Sequence, residues 1–322
     1  MRCQMCSCEN SPGAKTCVGC GALLGAQEEE EEKETTARFL ALEVDEGPTL
    51  DESRRPTGPL DILFAAKTDM GRVRENNEDK FDFYEPEGPE VSASKGAFYA
   101  VADGMGGHSA GQIASELALK TIIRQYYRDT GSDVPQSLQS AIREANSLVY
   151  ETARAIPDRA GMGTTLTAAI IRNDELFIAQ IGDSRAYLLR DGRLHQLTED
   201  HSWVAEQMRR GALTEEEAAT SPFRNVITRC IGTRPTVEVD IRRFDLCDRD
   251  TILLCTDGLS GCVSDAEIAT VLSQNDPSAA ALRLVELSNE NGGRDNITVV
   301  VLGIREVQTK EARGRFKRLF SR

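Results

Sequence analysis

Four apolar runs each abut an aspartate, and that recurrence narrows the fold more than any other feature. Ala97 to Ala102 stops at Asp103, with Gly104, Gly106 and Gly107 in the turn behind it. Leu176 to Gly182 stops at Asp183, and Thr251 to Thr256 stops at Asp257. Asp295 stands just before Asn296 and the run Ile297 to Leu302. Runs of this length, bounded by turn residues, read as buried strands. A single Asp-Gly junction also begins many plain turns. Four aspartates at the ends of four strands can bring four carboxylates to one rim of a sheet assembly. Like charges repel and are costly to desolvate, so such a rim calls for compensating cations. Oxygen-only ligands favour Mg²⁺ or Mn²⁺ over zinc, and glycines let the backbone approach a ligand closely. The pattern points to a multi-metal hydrolytic site.

The rest of the chain sorts by composition. Its 322 residues suffice for one large domain and a small appendage. A formal charge of -14 argues against general nucleic-acid binding, which needs a basic face. No apolar stretch reaches the length of a bilayer span and no secretory signal opens the chain, so the expectation is a soluble, cytoplasmic protein. Of nine cysteines, five fall in the first twenty residues. Cys3, Cys6, Cys17 and Cys20 form two C-x-x-C turns, the spacing that sets four thiolates around one structural Zn²⁺. Residues 1–26 are therefore expected to be a zinc-ribbon-like module, with Cys8 spare and a redox or incidental cluster as the alternative. Residues 27–59, with the acidic run Glu28 to Glu32, read as a flexible linker. Residues 60–305 form the main domain. The tail, 306–322, is basic with interleaved Phe316, Leu319 and Phe320; it suits an anionic membrane surface, an acidic partner or plain solvation.

Within the main domain, strands are expected over Ile62 to Thr68 and Lys80 to Tyr84, joined by a turn dense in charge. Arg74 in that turn suits bidentate contact with phosphate oxygens, and Glu78 and Asp79 suit contact with metal-bound water. A solvated loop is the competing reading. Ile113, Leu117, Ile122 and Tyr126 keep helical spacing, as do Leu138, Ile142, Ala145 and Val149. Strands follow over Leu166 to Ile171, Glu175 to Gly182, Ala186 to Arg190 and Arg193 to Leu197, with Asp191-Gly192 as a hairpin turn. Asp200 to Thr233 reads as a partly helical surface flap. Two more helices are expected, at Asp265 to Gln274 and Pro277 to Asn291.

In this order the residues resemble the metal-dependent protein phosphatases, the type 2C family, in its bacterial branch. The resemblance rests on Thr68 to Asp79, Ala102 to His108, Met162 to Thr165, Ile181 to Arg185, Thr256 to Leu259 and Arg294 to Val299. It covers roughly residues 60 to 305. It implies an α+β fold: a four-layer sandwich of two antiparallel sheets flanked by helices. It implies two Mn²⁺ or Mg²⁺ ions, with Asp103 bridging them, the Gly104 carbonyl on one, and Asp257 and Asp295 on the other. Asp183, with Asp257, resembles the ligands of a third metal. Glu78 and Asp79 would act through water, and Arg74 would hold the substrate phosphate.

The implied reaction is hydrolysis of phosphoserine and phosphothreonine by direct attack of a metal-bridging hydroxide, opposing a bacterial Ser/Thr kinase. The implied partners are phosphoprotein substrates, among them such a kinase and its targets. One departure stands out. Eukaryotic members carry a histidine, the proposed general acid, directly after the Asp-Gly pair; here that position is Met105. His108 lies three residues on, and is a candidate acid and equally a structural histidine. Two other classes compete: a pseudophosphatase that only binds phosphoproteins, and an adaptor whose working parts are the ribbon and tail. Deletion of residues 1 to 59 separates the adaptor from the enzyme, which is expected to keep its turnover without them.

Overall fold

The apolar runs form strands because both of their faces are covered. The computed structural model describes Glu9, Ser11, Pro56, and residues 60–107 and 110–306. The expected zinc ligands Cys3, Cys6, Cys17 and Cys20, nearly all of the acidic linker, the tail beyond Glu306, and His108 lie outside the described residues.

In chain order the elements begin with β1 (Leu60–Asp69), β2 (Lys80–Tyr84), α1 (Pro89–Lys95), β3 (Ala97–Ala102) and β4 (Gly104–Met105). Next come α2 (Ala110–Arg128), α3 (Val134–Ala155), β5 (Gly163–Thr164), β6 (Leu166–Arg172), β7 (Glu175–Ile181), β8 (Arg185–Arg190) and β9 (Arg193–Gln196). The last are α4 (Trp203–Arg209), α5 (Glu215–Thr220), β10 (Asp240–Asp245), β11 (Thr251–Cys255), α6 (Asp257–Ser260), α7 (Asp265–Gln274), α8 (Pro277–Glu290) and β12 (Ile297–Glu306).

Two five-stranded antiparallel sheets result, ordered β1-β12-β11-β8-β9 and β10-β7-β6-β3-β2. Side chains alternate across each strand, and three apolar layers follow from that alternation. Phe98, Ala100 and Ala102 of β3 face α2 and α3, whereas Tyr99 and Val101 face the other sheet. Ile252 and Leu254 of β11 meet them in the intersheet layer with Val300, Leu302 and Ile304 of β12. Leu253, Cys255, Val299 and Val301 point outward onto α7 and α8. A strand buried on both faces needs apolar residues at every position, which is why these segments read as runs without a period of two.

Local chemistry fixes the joints. The Asp133 carboxylate accepts from Gln136 N–H at the start of α3. Ser264 and Glu267 close a reciprocal cap on α7, and Asp276 caps α8. Asp191 and Gly192, both at positive φ, make the β8–β9 hairpin.

The expected strands and helices are present with shifts of a residue or two, and β12 runs four residues beyond Leu302. Five elements were not foreseen, among them the two-residue strands β4 and β5, whose glycine-containing segments read as turns. β10 is an edge strand of the second sheet, half-buried and charged (Asp-Ile-Arg-Arg-Phe-Asp), so it carries no apolar run. The seven-residue α1 and the single turn α6 are too short to show a helical period. The flap holds α4 and α5; a bridge between Ser202 and Ile227 closes it on itself, and one between Thr164 and Ile231 ties it to β5. Among the described residues no helix is long and apolar enough to cross a membrane.

Leu254 is fully buried between the sheets. Leu254→Ala should lower unfolding stability by about 2–5 kcal/mol, the range for buried leucine truncations, as read from urea titration.

Candidate metal centre

Both sheets end at the same edge in aspartates. Asp103 follows β3, Asp183 lies between β7 and β8, Asp257 begins α6 one residue after β11, and Asp295 precedes β12. Asp79 stands immediately before β2. The structure brings these five carboxyls into mutual electrostatic reach. Asp103 is pushed well up by burial first, then by the charges of Asp79, Asp257, Asp183 and Asp295. Asp79 rises to about 7 through burial, with Asp257 and Asp295 adding to it. Asp183 rises to about 7 through burial and the neighbouring Asp257 and Asp200. Asp257 rises to about 6, again from burial and then from Asp295, although it shares a hydrogen bond with Asp103. Asp79 and Asp183 are buried, while Asp103, Asp257 and Asp295 keep partial exposure at the rim. Solvent and solutes therefore reach one side of the cluster and packed protein closes the other.

Hydroxyls and tight turns hold the backbone here. Asp103 N–H donates to Thr165 Oγ1 at 2.9 Å, and Thr165 N–H donates to the Asp103 carbonyl at 2.9 Å. The Thr164 hydroxyl donates to the same carbonyl, also at 2.9 Å. Thr256 Oγ1 donates to Asp79 Oδ2 at 2.7 Å and accepts from Thr298 N–H at 3.0 Å. A Cβ on Gly104 would lie 2.1 Å from the Gly111 carbonyl oxygen and 2.7 Å from that of Glu78. Only glycine fits this crossing. A Cβ on Gly111 would in turn meet Glu78 Oε2 at 2.5 Å, which places that carboxylate against the start of α2.

Arg74 sits at the rim with its side chain 55% exposed, and its Nη2 donates to Asp295 Oδ2 at 2.6 Å. The charges of Asp295, Asp103 and Asp257 all favour its cationic form. Met105, at the position that follows Asp-Gly, pairs in β4 with Gly163 of β5.

His201 had no role in the sequence reading. It is buried; Gly182 N–H donates to its Nδ1 at 3.1 Å, so its Nε2–H donates to Asp240 Oδ2 at 2.9 Å. Arg229 reaches the other Asp240 oxygen at 2.6 Å. Burial raises the Asp240 carboxyl, but the His201 and Arg229 contacts outweigh it and lower it to about 2. This chain of contacts anchors the turn that presents Asp183. The histidine lies 18 residues from Asp183 in sequence, and only the fold closes that distance.

The donor set fits hard divalent cations. Among the described residues no three His, Cys, Asp or Glu side chains already stand in ligand geometry about one point. Yet Asp79 Oδ1, Asp183 Oδ1 and Asp257 Oδ1 are buried with no hydrogen-bond partner. A carboxylate oxygen left so is costly unless a cation or an ordered water completes it. All the donors are oxygens, which suits Mg²⁺ or Mn²⁺.

A family profile described as Protein phosphatase 2C matches residues 65–207. The serine/threonine phosphatase stp of Listeria innocua is 39% identical over 241 residues, which cover 73% of this chain and 93% of the relative. The serine/threonine protein phosphatase PstP of Mycobacterium tuberculosis is 40% identical over 246 residues; the chain spans 76% of its own length there but 45% of PstP. A crystal structure of the catalytic domain of PstP in complex with two manganese ions superposes with a TM-score of 0.67 at 38% identity, covering 76% of this chain and 99% of that one.

Asp79, Asp183 and Asp257 hold protons to about 7, 7 and 6 against an ordinary 3.8. The folded chain thus binds protons that the unfolded chain has already released, and the stability these groups contribute is full below 3.8 and lost as pH rises through 7. In chelating buffer, urea titrations from pH 4 to 7 should show wild type losing stability relative to Asp257→Asn. Parallel curves for the two proteins would mean that burial and the neighbouring charges do not raise the Asp257 carboxyl as described.

Proposed function

The chain belongs to the protein phosphatase 2C family and is a metal-dependent serine/threonine protein phosphatase, and we propose that the aspartate rim is its hydrolytic centre. Asp103, the Gly104 carbonyl, Asp257 and Asp295 hold two Mn²⁺ or Mg²⁺ ions, Asp183 with Asp257 holds a third, and Glu78 and Asp79 act through bound water. When bound, the ions acidify water toward neutrality and offset charge on the phosphoryl group. Arg74 receives the phosphate of a phosphoserine or phosphothreonine; its guanidinium is exposed on one side and fixed to Asp295 on the other. Thr165 and Thr256 hold Asp103 and Asp79 in place through the reaction.

The observation that carries this reading is the set of three buried, unpartnered carboxylate oxygens in a cluster of like charges. No covalent phosphoenzyme enters, so no cysteine is required: Cys247 and Cys255 are buried, and burial pushes the Cys255 thiol up to about 12. The presence of every expected aspartate favours an active enzyme over a binding-only relative. The substrates are phosphoproteins made by a Ser/Thr kinase. Cys3, Cys6, Cys17 and Cys20 complete a structural zinc site; the basic tail is read as solvated, with an anionic membrane surface or acidic partner as the alternative.

Mn²⁺ at about a hundred times its dissociation constant should stabilise the fold by roughly 2.7 kcal/mol, seen as a raised unfolding midpoint. Asp257→Asn should abolish both that shift and the hydrolysis of an aryl phosphate. Thiol alkylation should leave turnover unchanged, and full activity in excess chelator would refute the assignment. Metal must displace protons from the cluster, so the Mn²⁺ concentration for half-activation should fall as pH rises from 6 through 7, the window given by Asp257, Asp79 and Asp183.

A further inference from the structure

Residues 70–79, which carry Arg74, join β1 to β2 without a helix or strand of their own. A long guanidinium side chain supplies little precision unless the backbone beneath it is fixed. One buried side chain brackets that backbone. Asn296, 6% exposed, donates from Nδ2 to the carbonyl oxygens of Met70 at 3.0 Å and Asn76 at 2.8 Å. Its Oδ1 accepts the Glu78 N–H at 2.9 Å. A planar amide offers two donors and an acceptor together, whereas a carboxylate offers only acceptors and a hydroxyl cannot reach three groups so spread.

The same residue touches the acidic side of the site. Asn296 N–H donates to Asp295 Oδ1 at 2.8 Å, while Arg74 takes Asp295 Oδ2. Its carbonyl oxygen would lie 1.9 Å from a Cβ on Gly258, so its backbone is pressed against the turn that begins with Asp257. The Arg74 turn is further seated by Arg72 N–H on the Gly293 carbonyl at 2.7 Å. Gly71 lies so close to the Asp295 carbonyl that a Cβ there would be 2.2 Å from the oxygen.

We propose that Asn296 is a positioning residue for phosphate recognition. Its amide sets the Arg74 turn in one register against the Asp295 loop, so that the guanidinium meets the phosphoryl oxygens. This rests on the reading of Arg74 as the phosphate-binding group. Asn296 is assigned no contact with substrate or ions; its part is to act through Arg74.

The test uses the full chain saturated with Mn²⁺, an aryl phosphate as substrate and inorganic phosphate as competitive inhibitor. Asn296→Ala should raise KM and weaken phosphate inhibition about tenfold, with a smaller fall in kcat and the Mn²⁺ half-activation point within about twofold, since a displaced positioning group costs binding geometry first. In an Arg74→Ala background the same substitution should change neither quantity further, because two residues acting as one unit are not additive. If Asn296→Ala does not fold, Asn296→Ser, which keeps one donor, is read in the same way. An equal effect with and without Arg74, or a shifted Mn²⁺ midpoint with phosphate inhibition intact, overturns the positioning role alone. An Arg74→Ala enzyme that keeps full phosphate inhibition overturns the reading of Arg74 and this inference with it.

Discussion

Electrostatic repulsion among five carboxyls gathered at one edge of two sheets is the constraint on which the rest of the structure depends. Each of Asp79, Asp103, Asp183 and Asp257 is pushed above its ordinary range by burial and by its neighbours. The hydrogen bond shared by Asp103 and Asp257 and the Arg74–Asp295 pair offset only part of this cost, so the surrounding fold must impose the assembly. It does so with three covered apolar layers, which make the strands rigid, and with strand ends that stop at a common edge. The stability of the sandwich is in part spent on holding charges where they would not otherwise stay.

The imposition is local as well as global. Every acidic residue stands beside a feature that removes backbone freedom. Thr164 and Thr165 bind both backbone polar groups of Asp103, Thr256 holds Asp79, and His201 reaches the turn before Asp183. Gly182 and Gly258 permit close crossings, since a Cβ on either would lie within 2.5 Å of Thr165 Cγ2 or 1.9 Å of the Asn296 carbonyl oxygen, respectively. Preorganisation of this kind is what lets charged ligands meet cations without reorganising during turnover. Arg74 belongs to the same balance: it neutralises Asp295 on one side and remains open to solvent on the other.

Most of the sandwich was legible because doubly buried strands leave unbroken apolar runs and packed helices keep an apolar spacing. Asp191-Gly192 marked a hairpin, and the spacing of Ile113, Leu117, Ile122 and Tyr126 marked α2. β10 was illegible for a physical reason: an edge strand has only part of its surface to bury, so charges at Asp240, Arg242 and Arg243 are tolerated. Among site residues, the aspartates were legible through recurrence at strand ends. His201, Thr256 and Asn296 were not assigned roles, because their value lies in contacts across tens or hundreds of positions; Asn296 Oδ1 reaches a residue 218 positions away. Pattern alone left open which oxygens would serve which ion, and that assignment rests on the family resemblance.

The pairing of β1 with β12 has a topological outcome of its own. These strands run antiparallel over ten residues, from Leu60 opposite Glu306 to Asp69 opposite Ile297. Entrance and exit of the folded unit are therefore neighbours, at the end of the sheet away from the acidic edge, about 30 Å off by the rise of an extended strand. A short bridge could join them and new termini be opened in a surface loop, giving a circular permutant with the chemistry undisturbed. Fusion partners joined directly at Leu60 and at Glu306 would likewise leave from neighbouring points of the sheet.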